Sequence, residues 1–164
     1  MKLTSKYNTM KSHDNISRIL VAVEDSPYSD QAIRYGVMLA KKMGSKIAMV
    51  HADEIPVSTP YVADPMLSET PFMIPQMMAI QEEASKNLFK RIDEEYGEGI
   101  KITKYIRVGR AQDEILAVAD EYDADLIILG THGRTGLDHF ISGSVSAGVA
   151  KRSKCPVLII PKKE

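Results

Sequence analysis

Residues 126–152 read LIILGTHGRTGLDHFISGSVSAGVAKR, and the way this stretch divides decides the fold. Leu126–Leu129 is a continuous apolar run of strand length, as expected for a strand covered on both faces. Ser144–Arg152 places Val145 and Val149 at helical spacing, with Gly148 where a neighbour can approach closely. Between them lie Gly130, Gly133, Gly136 and Gly143. A buried strand that passes through a glycine-rich loop into a helix is half of a parallel β-α unit, and the rest of the chain repeats that alternation.

Working outward, strand-like runs occur at Ile19–Glu24 (ILVAVE), Ile47–Ala52 (IAMVHA), Ile100–Val108 (IKITKYIRV) and Val157–Ile160 (VLII). ILVAVE and VLII are almost wholly apolar. IKITKYIRV alternates, which suits a strand near the sheet edge. Pro27–Met43 is helical in pattern, with Ala32, Tyr35, Gly36, Leu39, Ala40 and Met43 on one face. Ser26 is placed to cap it, Pro27 to occupy its first position and Gly44 to stop it. Ala111–Tyr122 carries a stripe of Ile115, Leu116, Ala119 and Tyr122. Gln76–Tyr96 carries Ile80, Ala84, Leu88 and Ile92, and Gly97 ends it. The order predicts an α/β fold, a mostly parallel doubly wound sheet with right-handed crossovers. Ligands of such sheets bind beyond the carboxyl ends of the strands. Function is therefore expected just after Glu24, Ala52 and Leu129.

The chain has 164 residues, 44% hydrophobic and 26% charged, with a net charge of −1 and one cysteine. That is enough chain for one domain with its own core. There is no basic stripe to favour nucleic acid and no apolar run of membrane-spanning length. A lone Cys155 cannot form an internal disulfide, which points to a reducing, cytoplasmic setting. Residues 1–15 are polar and lack a secretory pattern, so a flexible arm is expected before a single domain at 16–164; Met10 is an alternative start. Residues 53–75 form a long loop rich in proline and methionine, read either as a lid or partner surface or as an insertion packing on its own sheet edge.

The glycine loop is the stretch with chemistry. Glycines let backbone N–H groups reach a ligand without a Cβ in the way. Gly143 and Ser144 open a helix, whose unpaired N–H groups and positive dipole end favour an anion. Ser144 and Ser146 add hydroxyls, and Arg134 adds charge for an outer phosphate. It is neither a Walker loop, which needs Gly-Lys-Ser/Thr, nor the dinucleotide GxGxxG after a first strand.

The spacing Gly130-x2-Gly133-x9-Gly143-Ser144 resembles the nucleotide-binding signature of the universal stress protein family, G-2x-G-9x-G-(S/T). ILVAVEDS resembles that family's first strand and turn, KIAMVHA its second strand, VGRAQDEI its third strand-to-helix turn and KCPVLIIP its closing strand. The resemblance covers Ile16 to Pro161 and implies a five-stranded Rossmann-like sheet of order 3-2-1-4-5, a homodimer and, with the full glycine signature, ATP binding. It would place Gly130 and Gly133 at ribose and phosphates, with Leu129 leading into them. Gly143, Ser144, Val145 and Ser146 would surround the phosphate tail. Ala22, Val23 and Glu24 would line the adenosine, and Ala52 would face the base. The family usually has Asp at the Glu24 position; Asp25 is a candidate substitute.

His132 and His139 match no metal spacing and read as solvated turn residues. His51 reads as structural and Cys155 as a buried, inert thiol. The charges of 81–95 read as a solvated helix face with pairs such as Glu82–Lys86. The leading expectation is an ATP-binding stress-response protein, with magnesium, acting as a switch or scaffold. Pairing through Val157–Ile160 would cover an apolar edge strand. The alternatives are a slow ATPase or autophosphorylating protein using Ser144 or Ser146, though no positioned base is seen, and a non-nucleotide adaptor working through the Met-rich loop.

Overall fold

Alternating apolar runs and amphipathic stretches become alternating strands and helices in the computed structural model, which describes residues 16–54, 73–131 and 144–161. In chain order these are β1 (Arg18–Ala22), α1 (Pro27–Met43), β2 (Lys46–Asp53), α2 (Met73–Tyr96), β3 (Ile102–Val108), α3 (Ala111–Glu121), β4 (Leu126–Gly130), α4 (Ser144–Arg152) and β5 (Val157–Ile160). The five strands form one sheet of order β3-β2-β1-β4-β5, and every pairing is parallel. β1 is central: Leu20 pairs with Ala48 on one side and Ile127 on the other.

The period of two along each strand divides the interior into two layers. Ile19, Val21, Val23, Ile47, Met49 and Ile128 pack beneath α1 and α2. Leu20, Ala48, Val50, Ile127 and Leu129 pack beneath α3 and α4. β3 sits at the edge, as its alternation implies. Ile102 enters the first layer and Tyr105 the second, while Lys104 pairs with Asp93 of α2 and Arg107 with Glu121 of α3.

The caps of α1 follow the sequence. Ser26 accepts from the Ser29 N–H, Pro27 is the first residue, and Gly44 stops the helix at φ 66°. The buried face is rotated from the expected one, however. Ser29, Ala32, Ile33, Gly36, Val37 and Ala40 are buried, whereas Tyr35 and Met43 are exposed. Aromatic and methionine side chains had counted as core by hydrophobicity, but a helix lying on β1 and β4 buries the residues that fit the sheet.

α2 begins at Met73, earlier than Gln76, because Pro75 falls in its first turn, where no intrahelical N–H bond is lost. Its packed stripe is Ser85, Leu88, Phe89 and Ile92; Ile80 and Ala84 are exposed. Residues 75–80, in its first turns, are exposed. Glu82 and Lys86 pair at 2.7 Å on its outer face, as expected. β3 begins at Ile102 instead of Ile100, although Ile100 still packs on the core. α3 buries Val118 beside the expected Ile115 and Ala119. Residues 55–72 of the expected loop lie outside the described residues.

Candidate functional site

β1 and β4 lie side by side, and their chains leave in opposite directions. β1 runs into α1 on one face, and β4 leads toward α4 on the other. Such a divergence opens a crevice at the carboxyl ends of the strands. Ala22, Val23 and Glu24 lie at the end of β1, Ala52 near the end of β2, and Leu129 and Gly130 at the end of β4. Ser144, Val145 and Ser146 form the first turn of α4. Gly133, Arg134 and Gly143, with His132 and His139, lie outside the described residues.

The turn after β1 is tightly organised. The Glu24 N–H donates to Ser29 Oγ at 2.9 Å, and Ser26 Oγ donates to Glu24 Oε1 at 2.9 Å. The Ser26 hydroxyl also caps α1, so one side chain sets both the helix start and the Glu24 carboxylate. Asp25 points elsewhere: Arg91 of α2 reaches its carboxylate at 3.3 Å and that of Asp30 at 3.0 Å. Burial pulls the Arg91 guanidinium down, but the Asp30 bond and the charges of Asp30, Glu95 and Asp25 outweigh it and hold Arg91 above its ordinary value.

At the end of β2, His51 is buried and bonded on both ring nitrogens, to the Val23 carbonyl oxygen at 2.8 Å and to Asp53 Oδ1 at 3.2 Å. Ser85 of α2 donates to Asp53 Oδ2 at 2.7 Å. The Asp53 carbonyl accepts the Gly109 N–H at 3.0 Å, and Glu54 Oε1 accepts the first N–H of α3, from Ala111, at 3.1 Å. Asp53 thus joins β2, α2 and the turn before α3. Sequence reasoning found His51 as structural but missed Asp53, Ser85, Glu54 and Arg91. The available signal was a small polar Ser85 on the apolar stripe of α2, and a polar residue there needs a partner.

At the end of β4, a Cβ on Gly130 would lie 3.0 Å from the Tyr28 carbonyl oxygen. The missing side chain lets the first turn of α1 sit against β4, a packing role beside the expected ligand role. The Thr131 N–H donates to the Ile160 carbonyl, and the buried Ser146 hydroxyl reaches the Thr131 carbonyl at 3.4 Å. Val145 is half-buried against the second layer. A helix start leaves N–H groups without intrahelical partners, and such groups suit an anion. A Cβ on Gly148 would fall on the Gln112 carboxamide, so a larger residue there would displace that side chain of α3.

A five-stranded parallel sheet of order β3-β2-β1-β4-β5 with helices on both faces defines a Rossmann-like α/β protein. The model of the universal stress protein family matches residues 15–161, and the chain belongs to that family. Universal stress protein MJ0531 of Methanocaldococcus jannaschii is 30% identical over 149 residues, covering 90% of this chain and 84% of that one. The solved structure of MJ0577 superposes with a TM-score of 0.75 at 24% identity, covering 91% of this chain and 98% of that one. A universal stress protein solved in complex with cAMP gives 0.64 at 23% identity, covering 90% and 98%. Both structures share this fold. Among the described residues, no helix is long and apolar enough to cross a membrane.

Proposed function

We propose that this chain is an adenine-nucleotide-binding stress-response protein, with ATP as the ligand, that acts as a nucleotide-dependent switch or scaffold. The observation that carries the reading is the start of α4 at the carboxyl end of β4, beside β1, reached through the spacing Gly130-x2-Gly133-x9-Gly143-Ser144. Backbone N–H groups at 144–146 would hold the phosphates. Ala22, Val23, Glu24 and Ala52 would line the nucleoside, and the family member solved with cAMP lends support to an adenine ligand. A cytoplasmic location accords with the single cysteine.

Magnesium would come with the phosphates and keep several of its waters. The described carboxylates beside β1 are engaged elsewhere, Glu24 with Ser26 and Asp25 and Asp30 with Arg91. The metal would therefore be held chiefly by phosphate oxygens. The same engagement disfavours Glu24 as a base for an attacking water, so turnover would be slow. The switch works if nucleotide binds one state of residues 131–143 more tightly than another.

A homodimer through β5 is part of the reading. Val157, Leu158, Ile159 and Ile160 carry no charge, whereas the opposite edge, β3, is guarded by Lys104 and Arg107. Unguarded apolar edges invite pairing. Sedimentation showing a monomer at micromolar concentration refutes this part.

Nucleotide released on denaturing the purified protein, identified as ATP, supports the main reading. Gly143→Val, which sets a branched side chain against the phosphates, should abolish that retention. Wild-type ATP affinity in Gly143→Val overturns the site assignment. Partner-independent hydrolysis well above about one turnover per minute, abolished at Ser144 or Glu24, replaces the switch with an enzyme.

A further inference from the structure

His51 stands between two groups that accept hydrogen bonds, the Val23 carbonyl oxygen at Nδ1 and the Asp53 carboxylate at Nε2. A carbonyl oxygen only accepts, so Nδ1 carries a hydrogen. A neutral imidazole then has none left for Nε2, and a lone pair would face a carboxylate oxygen at 3.2 Å. Both side chains are about nine-tenths buried (10% and 11% exposed), so solvent does little to relieve that opposition. A hydrogen lying between Nε2 and Oδ1 removes it and joins ring and carboxylate as one buried pair.

The far side of the network is anchored in α2. Asp53 Oδ2 accepts from Ser85 Oγ at 2.7 Å, and the Ser85 hydroxyl also lies 2.9 Å from the Gln81 carbonyl oxygen of its own helix. The near side ends on the peptide between Val23 and Glu24. The Val23 N–H is itself given to the Val50 carbonyl at 2.8 Å, and the Glu24 N–H to Ser29 Oγ. Every polar group of that peptide is thus oriented by a named partner, and His51 supplies the one that comes from β2. Ala52, the next residue, carries the backbone placed at the base.

We propose that His51 is a positioning residue for the nucleobase, its ring held between the Val23 carbonyl oxygen and the Asp53 carboxylate. The ring fixes the Val23–Glu24 peptide and, through its own backbone, the neighbouring Ala52. Ser85 holds the carboxylate that holds the ring. This role rests on the nucleotide reading above and concerns only the base side of the site. The phosphate side, at α4, does not depend on it.

The test compares ATP with inorganic tripolyphosphate, and wild type with Asp53→Ala and Asp53→Asn. Asp53→Ala should weaken ATP binding about tenfold, the effect of one lost buried hydrogen bond, with tripolyphosphate binding unchanged. Asp53→Asn should recover most of the loss, because its amide N–H donates to the Nε2 of a neutral ring while its carbonyl oxygen accepts from Ser85. If Asp53→Ala does not fold, Ser85→Ala carries the same comparison of the two ligands. Unchanged ATP affinity in the variant that folds, or equal loss of both ligands, overturns the positioning role. Wild-type protein that binds tripolyphosphate but not ATP overturns the nucleotide reading, and the positioning role with it. Altered base binding with the phosphate side intact is the pattern that separates the two failures.

Discussion

Gly36→Ala tests whether the tight seating of α1 on the sheet is real. Gly36 lies in the middle of α1, where alanine is ordinarily better by about 1 kcal/mol. In this fold an added Cβ would lie 2.5 Å from Val21 Cγ2, with Ile47 and Ile128 methyls at 3.6 and 3.8 Å. Carbon atoms rest at about 3.5–4.0 Å, so the deficit with Val21 is about 1 Å. Val21 has little room to yield. It is fully buried, β-branched and clamped in register between Met49 and Ile128. Overpacking by one methyl costs about 1–3 kcal/mol, and the rigidity of Val21 favours the upper half of that range. After the helix gain is subtracted, a loss of about 1–2 kcal/mol remains, or about 2–8 °C in Tm for a domain of this size. Urea unfolding and calorimetry measure it. The double variant Val21→Ala/Gly36→Ala isolates the cause, because the new methyl then occupies vacated space. Its loss should fall short of the summed single losses by about 1 kcal/mol or more. Gly36→Ala as stable as wild type, or strictly additive losses, would refute the reasoning.

Three further outcomes follow from named contacts. Tyr122 has a buried hydroxyl with no hydrogen-bond partner among the described residues, so Tyr122→Phe should be neutral or stabilising by up to about 1 kcal/mol in urea unfolding; a loss beyond that contradicts the assignment. Ser26→Ala should cost about 1 kcal/mol of stability as a lost helix cap, and weaken ATP binding because Glu24 loses its hydroxyl donor; unchanged values in both assays count against the shared role. Burial raises the Cys155 thiol, with the Ser153 bond opposing, so the folded state favours the neutral form. That contribution is complete below the ordinary thiol range and is lost as pH rises through it toward the folded value. Denaturation midpoints should therefore fall at alkaline pH, less so in Cys155→Ala, and alkylation of Cys155 should be slower than that of a free thiol; midpoints rising over that interval refute it.

Much of the scaffold was legible along the chain because it rests on local rules. Ser26, Pro27 and Gly44 set the ends of α1 through hydrogen bonding and backbone conformation that involve only neighbouring residues. The continuous apolar runs at β1 and β4 and the alternation at β3 report how many faces each strand has covered, so β3 could be placed at an edge, whereas β5, the other edge, is continuously apolar. The glycine spacing between Gly130 and Ser144 marks the candidate site for the same reason.

Only the tertiary structure decided which faces turn inward and which distant groups meet. Tyr35, Met43 and Ile80 are apolar yet exposed, because burial depends on where each helix lies against the sheet. His51, Asp53 and Ser85 become one network across β2 and α2, and Arg91 takes Asp25 and Asp30 from the far side of a second helix. Ser85 and Arg91 lie tens of residues from the carboxylates they meet, and no periodicity links them. Gly130 carries both kinds of information. Its place in the loop pattern marks a ligand site, and the Tyr28 backbone lying against it shows that the same missing side chain also seats α1. Sequence by itself determined the order of elements and pointed to the end of the sheet proposed for a ligand; the packing of helices on that sheet decided which side chains hold the end in shape.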